Sequence, residues 1–360
     1  MKLFSVISLK LVAIAKDEAP YLPIWIFHHL HIGITSIDIY LNNIEDNSYE
    51  IVQKIARYDR RVKIFNADKL LRLSKKSKSD FQQEIYNFAL STERAAQQHS
   101  HLLFLDIDEY LMPSNFGDKI TKLLSKEREA DVISFIWYSD IPSRKRQSFQ
   151  PLIQHSIKLQ KMTPVKSLCR LNGAAVSAKV HRFGYGLNRQ EELPISHVLS
   201  DGSPAVMSSR KCNRISTKDN VDIASSIEPW FVHHQIYRSH NEYCSGLMRG
   251  RSHRDNSKPI KDNRHGYCIH PDQIRTGKFI GEPVKYRIPH WRCIQYNLEF
   301  ALFIKLSGTS AALEEGKKIN FFRYKKLRKL LKNNPGLCQD FRKQLRGTKF
   351  FKPTKKNPSK

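Results

Sequence analysis

Short unbroken apolar runs alternate along this chain with longer segments whose apolar positions recur every three or four residues. Residues 9–15, 36–41, 61–65, 101–105 and 131–138 are runs of the first kind. They predict strands buried on both faces. The segments between them predict helices. The first carries Leu22, Trp25, Ile26, His29 and Leu30 at helical spacing, with Asp17 able to cap it, Pro20 and Pro23 in its first turns and Gly33 to stop it. On this spacing His28, His29 and His31 belong to a structural face. Further helices are expected over 48–57, 80–99 and 116–126, and the Lys/Ser-rich stretch 74–79 reads as a loop. Strand and helix thus alternate from residue 9 to 138, which argues for a doubly wound, largely parallel sheet with right-handed crossovers. Residues 141–230 break into turns and short apolar runs, suited to loops and a few antiparallel strands, and 241–290 carry little periodicity. An apolar helix over 296–306 is expected to pack on the main domain.

Charge changes this picture at one end. The 360 residues carry a formal net charge of +27, and from Lys317 to Lys360 there are 16 Lys and Arg against the single Asp340, so +15 of it lies in the last 44 residues. Such a balance suggests an acidic partner. Ile319, Phe322, Leu327, Leu330 and Leu331 are set among these cations, the composition of an amphipathic helix that contacts an anionic membrane. A nucleic-acid-binding protein is the alternative reading, given a pI near 9.8 and the tail aromatics Phe321, Phe322, Tyr324, Phe350 and Phe351. It is disfavoured because no zinc-finger or RNP-like motif occurs and the charge is concentrated in the tail. The six cysteines form no Cys-x-x-Cys, as expected of free thiols in a reducing compartment. Residues 1–15 imitate a short signal peptide, but Lys10 interrupts the apolar run and the segment makes better sense as the first strand.

The candidate chemistry lies at the carboxyl ends of the predicted strands, where ligands bind in open α/β sheets. Lys16-Asp17-Glu18 follows the first strand, Asn42 to Asp46 follows the second, and Asp106-Ile107-Asp108-Glu109 follows the run at 101–105. On an extended strand Asp106 and Asp108 share one face, where like charges repel unless a cation stands between them. Mg²⁺ or Mn²⁺, bound by one or two carboxylates together with substrate phosphates, resolves this. Neither a Rossmann glycine fingerprint nor a Walker A loop is present. A hydride-transferring dinucleotide enzyme and a P-loop ATPase are therefore disfavoured, and a nucleotide diphosphate neutralised by a cation fits better. A metal-dependent nuclease would need further carboxylates on neighbouring strands, and no convincing set is found.

These residues carry a resemblance. Val12 to Leu22 with Trp25-Ile26, His28-His29 and Gly33-Ile34 is similar to the opening of glycosyltransferase family 2-like and family 92-like GT-A proteins. Leu105 to Leu111 resembles their Asp-x-Asp-Glu-Phe motif, and Pro164 to Arg170 their Lys-Ser/Thr-x-x-Arg segment. His233 to Ser239 with Met248-Arg249-Gly250-Arg251 resembles their His-Tyr-x-x-Lys/Arg-Ser and Arg-Gly segments. Asp17 stands where Asn is usual in the family, and Asn42 where an Asp often touches the nucleotide base, which leaves the donor base open.

The resemblance implies a metal-dependent glycosyltransferase moving a sugar from a nucleotide-sugar donor, UDP-sugar favoured, to a glycan or lipid-linked acceptor in bacterial surface polysaccharide or lipopolysaccharide synthesis. It implies a mostly parallel, Rossmann-like GT-A sheet flanked by helices, with a basic helical C-terminal extension. The expected division is a nucleotide-sugar-binding and catalytic domain over 1–240, a helical and loop extension over 241–316, and a basic amphipathic tail over 317–360. Asp108, Asp106 and His234 are the expected ligands of Mn²⁺ or Mg²⁺, with His233 as competitor for the third place. Lys16, Asp17, Glu18, Asn42, Asn43, Asp106, Lys166 and Arg170 are the expected nucleotide-sugar contacts. For an inverting transfer the candidate general bases are Asp140 and Glu109, with Glu191, Glu192 and Asp201 as further carboxylates. The chain is expected in the cytoplasm, peripheral at the inner face of the membrane through 317–360.

Overall fold

The structure is a computed structural model of the chain, and it describes residues 7–175, 177–181, 183–184, 195–208, 213–216, 227–250, 258–269 and 279–351. Glu191, Glu192 and Arg251 lie outside the described residues. The first half alternates as its pattern predicts: β1 (Leu9–Ala15), α1 (Leu22–His31), β2 (Ser36–Leu41), α2 (Ser48–Tyr58), β3 (Val62–Asn66), α3 (Asp68–Ser77), α4 (Phe81–Ala96), β4 (His101–Phe104), β5 (Glu109–Pro113), α5 (Ile120–Lys126) and β6 (Val132–Asp140). There follow β7 (Ser156–Arg170), β8 (Ser177–Ala178), β9 (Phe183–Gly184), β10 (His197–Leu199), β11 (Trp230–His234), α6 (His240–Leu247) and β12 (Val284–Arg287). Four helices follow: α7 (His290–Leu306), α8 (Ser310–Asn333) and the short α9 (Leu337–Asp340) and α10 (Arg342–Leu345).

The central sheet has the order β3-β2-β1-β4-β7-β6-β11-β5, with β10 beside β6 and β12 beside β7. Strands β1 to β4 are parallel to one another, and the antiparallel β7 separates them from β6. Alternate residues of β1 feed the two layers: Leu9, Leu11, Ala13 and Ala15 pack with α1 and α2, and Val12 packs with α4 and Phe104. A sheet covered on both faces needs such strands to be apolar throughout. Lys10 is the exception on β1, and it is neutralised inside the fold. Its ammonium lies 2.7 Å from Asp38 of β2 and 2.5 Å from Glu93 of α4, and Glu93 also meets His99 at 2.7 Å.

Four expectations need correction. The apolar run at 101–105 does not continue as one strand through the carboxylates. It ends at Phe104, turns over 105–108, and resumes as β5, antiparallel to β11. Helix α3 extends through most of the stretch expected to be a loop, because Leu71 and Ser74 are buried on one side of it and Lys78, at φ +57°, ends it. The boundary expected at 316/317 falls inside α8. Finally, the apolar residues of 317–331 are not a free membrane-facing stripe. Leu327 and Leu331 are buried in a third core with Tyr237, Tyr243, Leu247 and Leu345, whereas Phe322 stays exposed. Among the described residues no helix is long and apolar enough to cross a membrane.

The Lys10 strut makes a testable statement about acid stability. Although burial alone would raise the Glu93 carboxyl, His99 and Lys10 hold it down at about 2, against 4.5 in an unfolded chain. A carboxyl lowered in the folded state stabilises above the unfolded value and loses that contribution as pH falls through the folded one. Urea unfolding of Glu93→Gln is expected to lose about 3 kcal/mol at neutral pH and to flatten the decline of stability between pH 4.5 and 2. An unchanged pH slope would mean that Glu93 does not carry this linkage.

Candidate active site

The carboxyl ends of β1, β2, β4 and β11 open onto a cavity of about 430 Å³ lined by Lys16, Glu18, Asn42, Gln82, Asp106, Asp108, His234, Arg249, Lys261, Asn263 and Arg264. This is within the range of small-molecule sites. Its floor is the turn between β4 and β5. Glu109 donates its backbone N–H to Asp106 O at 3.0 Å, and its carboxylate accepts from the Asp106 N–H at 2.8 Å. The Trp25 indole bridges Asp106 O at 3.0 Å and Glu109 O at 2.9 Å, so α1 is pinned to both ends of the turn. Gln235 N–H donates to Asp108 O at 2.7 Å, tying the turn to the exit of β11.

The turn splits the two aspartates between different partners. Lys166, 1% exposed on β7, lies 3.2 Å from both Asp106 and Glu109, and the other Asp106 oxygen accepts from Gln82 at 3.2 Å. Burial would lower the Lys166 ammonium, but Asp106 and Glu109 more than reverse this and keep it charged. Asp108 faces the other way. Its oxygens lie 3.6 Å from His234 Nε2 and 3.5 Å from Arg264. Burial alone would raise the Asp108 carboxyl, yet His234, Arg264 and Arg238 hold it well below the usual carboxylate range.

Beside this cavity the loop after β1 is a knot of charge. Asp17, at φ +54°, accepts backbone N–H groups from Glu45 at 2.6 Å and Asp46 at 3.2 Å, and pairs with Lys16 at 3.0 Å and Arg323 of α8 at 3.3 Å. Lys16 also donates to Asn43 O at 2.6 Å. Glu18 pairs with Arg238 at 3.4 Å and with Arg249. Arg238 stacks over the Tyr21 ring at 3.4 Å and donates to Ile107 O at 3.3 Å. Burial first, and then Arg264 and Arg323 nearby, push the Arg249 guanidinium down to about 9. Four arginines thus converge where the carboxylates are already engaged.

Of the expected residues, Lys16, Glu18, Asn42, Asp106, Asp108 and His234 line the cavity together, and Asp17 lies just behind them. Others are placed elsewhere. Arg170 sits at the opposite end of β7, about 13 Å from Lys166 along a strand rising ~3.3 Å per residue, and pairs with Asp131 at 2.9 Å. Lys166 lies beneath the cavity floor, where it neutralises the turn. Glu109 is fully enclosed against Lys166 and the Asp106 N–H, which leaves it no access to an acceptor hydroxyl. Asp140 pairs with Arg146 at 2.5 Å and accepts the N–H groups of Tyr237 at 3.1 Å and Arg238 at 2.8 Å, so it fixes the loop after β11. Asp201 is on the turn after β10, beside Lys126 and Glu127 and away from the cavity lining.

The histidines divide similarly. His29 accepts from Leu111 N–H at 3.3 Å and donates to Trp25 O at 2.8 Å, and His28 spans Leu111 O at 2.8 Å and the Tyr296 hydroxyl at 3.1 Å. Burial pushes His28 and His233 down to about 3. His233 points into the interior from β11, and its neighbour His234 faces Asp108. Asp108 and His234 fit two places on one divalent cation: their facing atoms are beyond hydrogen-bond range, and phosphate oxygens supply the remaining places at such sites. Asp106 is committed to Lys166 instead, and among the described residues no group of three His, Cys, Asp or Glu is arranged around a common metal position. Arg264 lies in a stretch with little periodicity and Arg323 in a helix whose cations point to a membrane, so neither is marked as a site residue by the sequence, while Arg249 stands in the Arg-Gly segment.

The model of glycosyltransferase family 92 matches residues 11–197 of the chain. No curated protein matches it. Among solved structures, HddC from Yersinia pseudotuberculosis aligns over 54% of this chain and 94% of its own at 11% identity, with a TM-score of 0.28, a likeness that carries no argument about fold or activity.

The different partners of the two aspartates predict losses of different size. Lys166→Met leaves the buried Glu109, and Asp106 beside it, without their cation and is expected to cost about 3–5 kcal/mol in urea unfolding. Asp108→Asn removes a carboxylate that His234, Arg264 and Arg238 hold charged, and is expected to cost about 1–2 kcal/mol at neutral pH. Equal losses in both would overturn the division of roles.

Proposed function

The chain belongs to glycosyltransferase family 92, and on that premise we propose that this glycosyltransferase takes its sugar from a nucleoside diphosphate donor, UDP favoured, bound with Mn²⁺ or Mg²⁺ in the cavity over the β4–β5 turn. The observation that carries this reading is a single cavity lining that brings Asp108 and His234, 3.6 Å apart, together with Arg249 and Arg264. A nucleoside diphosphate is the ligand whose charge answers both. In this reading Asp108 and His234 hold the cation, and Arg249 and Arg264 meet the diphosphate oxygens.

When bound, the cation supplies Lewis-acid stabilisation of charge on the departing diphosphate. The protein's own contribution is preorganisation. Trp25, Gln235 and Lys166 fix the turn, so Asp108 is aimed before ligand arrives. Glu18 holds Arg238 and Arg249 extended along the cavity. Guanidinia crowded this way gain a favourable counter-charge when an anion enters, so product and donor diphosphates are both retained by them. Asn42, buried at the end of β2 with its side-chain oxygen unpartnered, is suited to the base or ribose. The acceptor is proposed to be a glycan or lipid-linked precursor of a bacterial surface polysaccharide or lipopolysaccharide, on family analogy.

The test is a thermal-shift series with UDP, GDP, CMP and dTDP, each with and without Mn²⁺, on wild type and Asp108→Asn. A ligand at about a hundredfold excess over its Kd stabilises by ~2.7 kcal/mol, a readily measured shift. UDP is expected to raise the melting temperature only with Mn²⁺, and Asp108→Asn is expected to abolish that increment. No shift with any nucleotide, alongside tight salt-sensitive binding of RNA, would overturn the reading in favour of a nucleic-acid-binding protein.

A further inference from the structure

Helix α7 is apolar on two opposite sides. Cys293, Tyr296, Phe303 and Ile304 face inward, packing against Phe27 of α1 and the main core. Trp291, Ile294, Leu298, Leu302 and Leu306 recur every three or four residues on the other side and are 51–65% exposed. Such a continuous stripe, five large side chains along one helix, differs from the scattered apolar residues normal on a surface. Nothing in the chain covers it among the described residues.

The surroundings of the stripe are cationic. At its amino-terminal end a cavity of about 150 Å³ is lined by His31, Phe116, Lys119, Arg292, Gln295 and Tyr296. Lys119 donates to His31 O and Arg292 to Phe116 O, and neither forms an ion pair with a carboxylate among the described residues. Arg292 also stacks on Trp291, its guanidinium carbon 4.8 Å from the ring centre. Arg287 is exposed just before the helix and Lys305 in its last turn. Arg57 is exposed next to Tyr58, whose ring meets Phe303 at 5.8 Å. The only acidic residue on the helix, Glu299, is turned to His31 at 3.1 Å.

We propose that the outward face of α7 is the surface by which the protein lies on an anionic phospholipid membrane, with Trp291, Ile294, Leu298, Leu302 and Leu306 entering the interface and a lipid phosphate seated between Lys119 and Arg292. A helix in this position buries its apolar face at the boundary of headgroups and acyl chains, with Trp and Arg at the level of the headgroups. Charge complementarity selects this occupant. A symmetric pair of copies joined through the stripe would bring two cationic rims together, whereas an anionic leaflet satisfies the apolar stripe and the rim at once. The surface lies outside the nucleotide cavity, so the inference stands independently of donor and metal.

Sedimentation with phosphatidylcholine vesicles, with and without phosphatidylglycerol, tests it on the full chain. Wild type is expected to pellet with the anionic vesicles far more than with neutral ones. Leu298→Ser with Leu302→Ser is expected to reduce the anionic partition coefficient by at least about tenfold, and Lys119→Gln with Arg292→Gln by about fivefold per cation removed. Both sets of positions are at the surface or the cavity mouth, and unchanged circular dichroism and nucleotide binding would verify folding. The proposal is overturned if wild type fails to bind anionic vesicles or if the leucine pair binds as well as wild type. It is equally overturned if light scattering finds a wild-type dimer that the leucine pair makes monomeric, since the stripe would then be covered by a second copy.

Discussion

The structure depends on one buried cation. Lys166 brings an ammonium into the middle of the sheet, where an uncompensated charge would be costly, and two carboxylates from the β4–β5 turn answer it. This arrangement decides more than local stability. It requires β7 to run between β4 and β6, because only there does Lys166 lie beneath the turn. It holds one Asp106 oxygen on the lysine and leaves Asp108 as the carboxylate that faces His234. Glu109, which in sequence looks like a third acidic site residue, becomes a clamp: its carboxylate closes the turn through the Asp106 N–H and at the same time neutralises the lysine. Removing Lys166 would leave both acids without their cation, and burial already pushes the enclosed Glu109 carboxyl well above its ordinary value.

Around this fixed floor the walls are assembled from remote segments. Arg238 and Arg249 flank α6, Arg264 follows in the loop beyond it, and Arg323 arrives from α8. Their mutual repulsion is tolerable because Asp17 and Glu18 sit among them, and Asp17 is in turn held by backbone N–H groups of the 45–46 loop and by Lys16. Asp140 stabilises the left-handed conformation of Arg238, φ +49°, by accepting two successive N–H groups. Several carboxylates that look available in the sequence are therefore consumed in orienting guanidinia. The consequence is a cavity whose cations stand beside carboxylates, Arg249 with Glu18, Arg264 with Asp108 and Lys16 with Asp17.

The parts legible in the sequence were those governed by burial alone. β1, β2 and β6 are buried along almost their whole length and announce themselves, β3 is an edge strand read from Val62 and Ile64, and Asp80 marks the start of α4 by capping Gln82 and Gln83. The turn at 105–108 was not legible, because Glu109 and Lys166 are charged residues with almost no exposure, and no pattern of apolar positions reports a pair that cancels inside the fold. The same blindness applied to Asp140 and Arg170, whose acid or base character is spent on Arg146, two backbone amides and Asp131. Residues 317–331 misled differently: a helix with apolar residues among lysines has the same sequence whether its stripe meets a membrane or a neighbouring helix, and here Leu327 and Leu331 meet α6 and its surroundings. In α7 the two apolar sides concealed one another, since together they leave no polar face to define a direction.

The C-terminal helices are accordingly part of the site and not an appendage to it. α7 packs along α1 with Tyr296 and Phe303 against Phe27, and the turn at 307–309 directs α8 back across the loop that follows β1. Gly316 permits the close approach, since a Cβ there would lie 3.0 Å from that of Ala19 and 3.2 Å from the Pro20 nitrogen. One turn further on, Asn320 donates to the Tyr21 hydroxyl at 3.1 Å, and Arg323 reaches Asp17. The rigid elements that bear the exposed stripe of α7 are thus continuous, through a single short turn, with the helix that closes the charged loop behind the cavity. α7 packs on the helix that carries Trp25, which pins the β4–β5 turn, while α8 reaches Ala19, Pro20 and Tyr21 just ahead of that helix and sets Arg323 against Asp17.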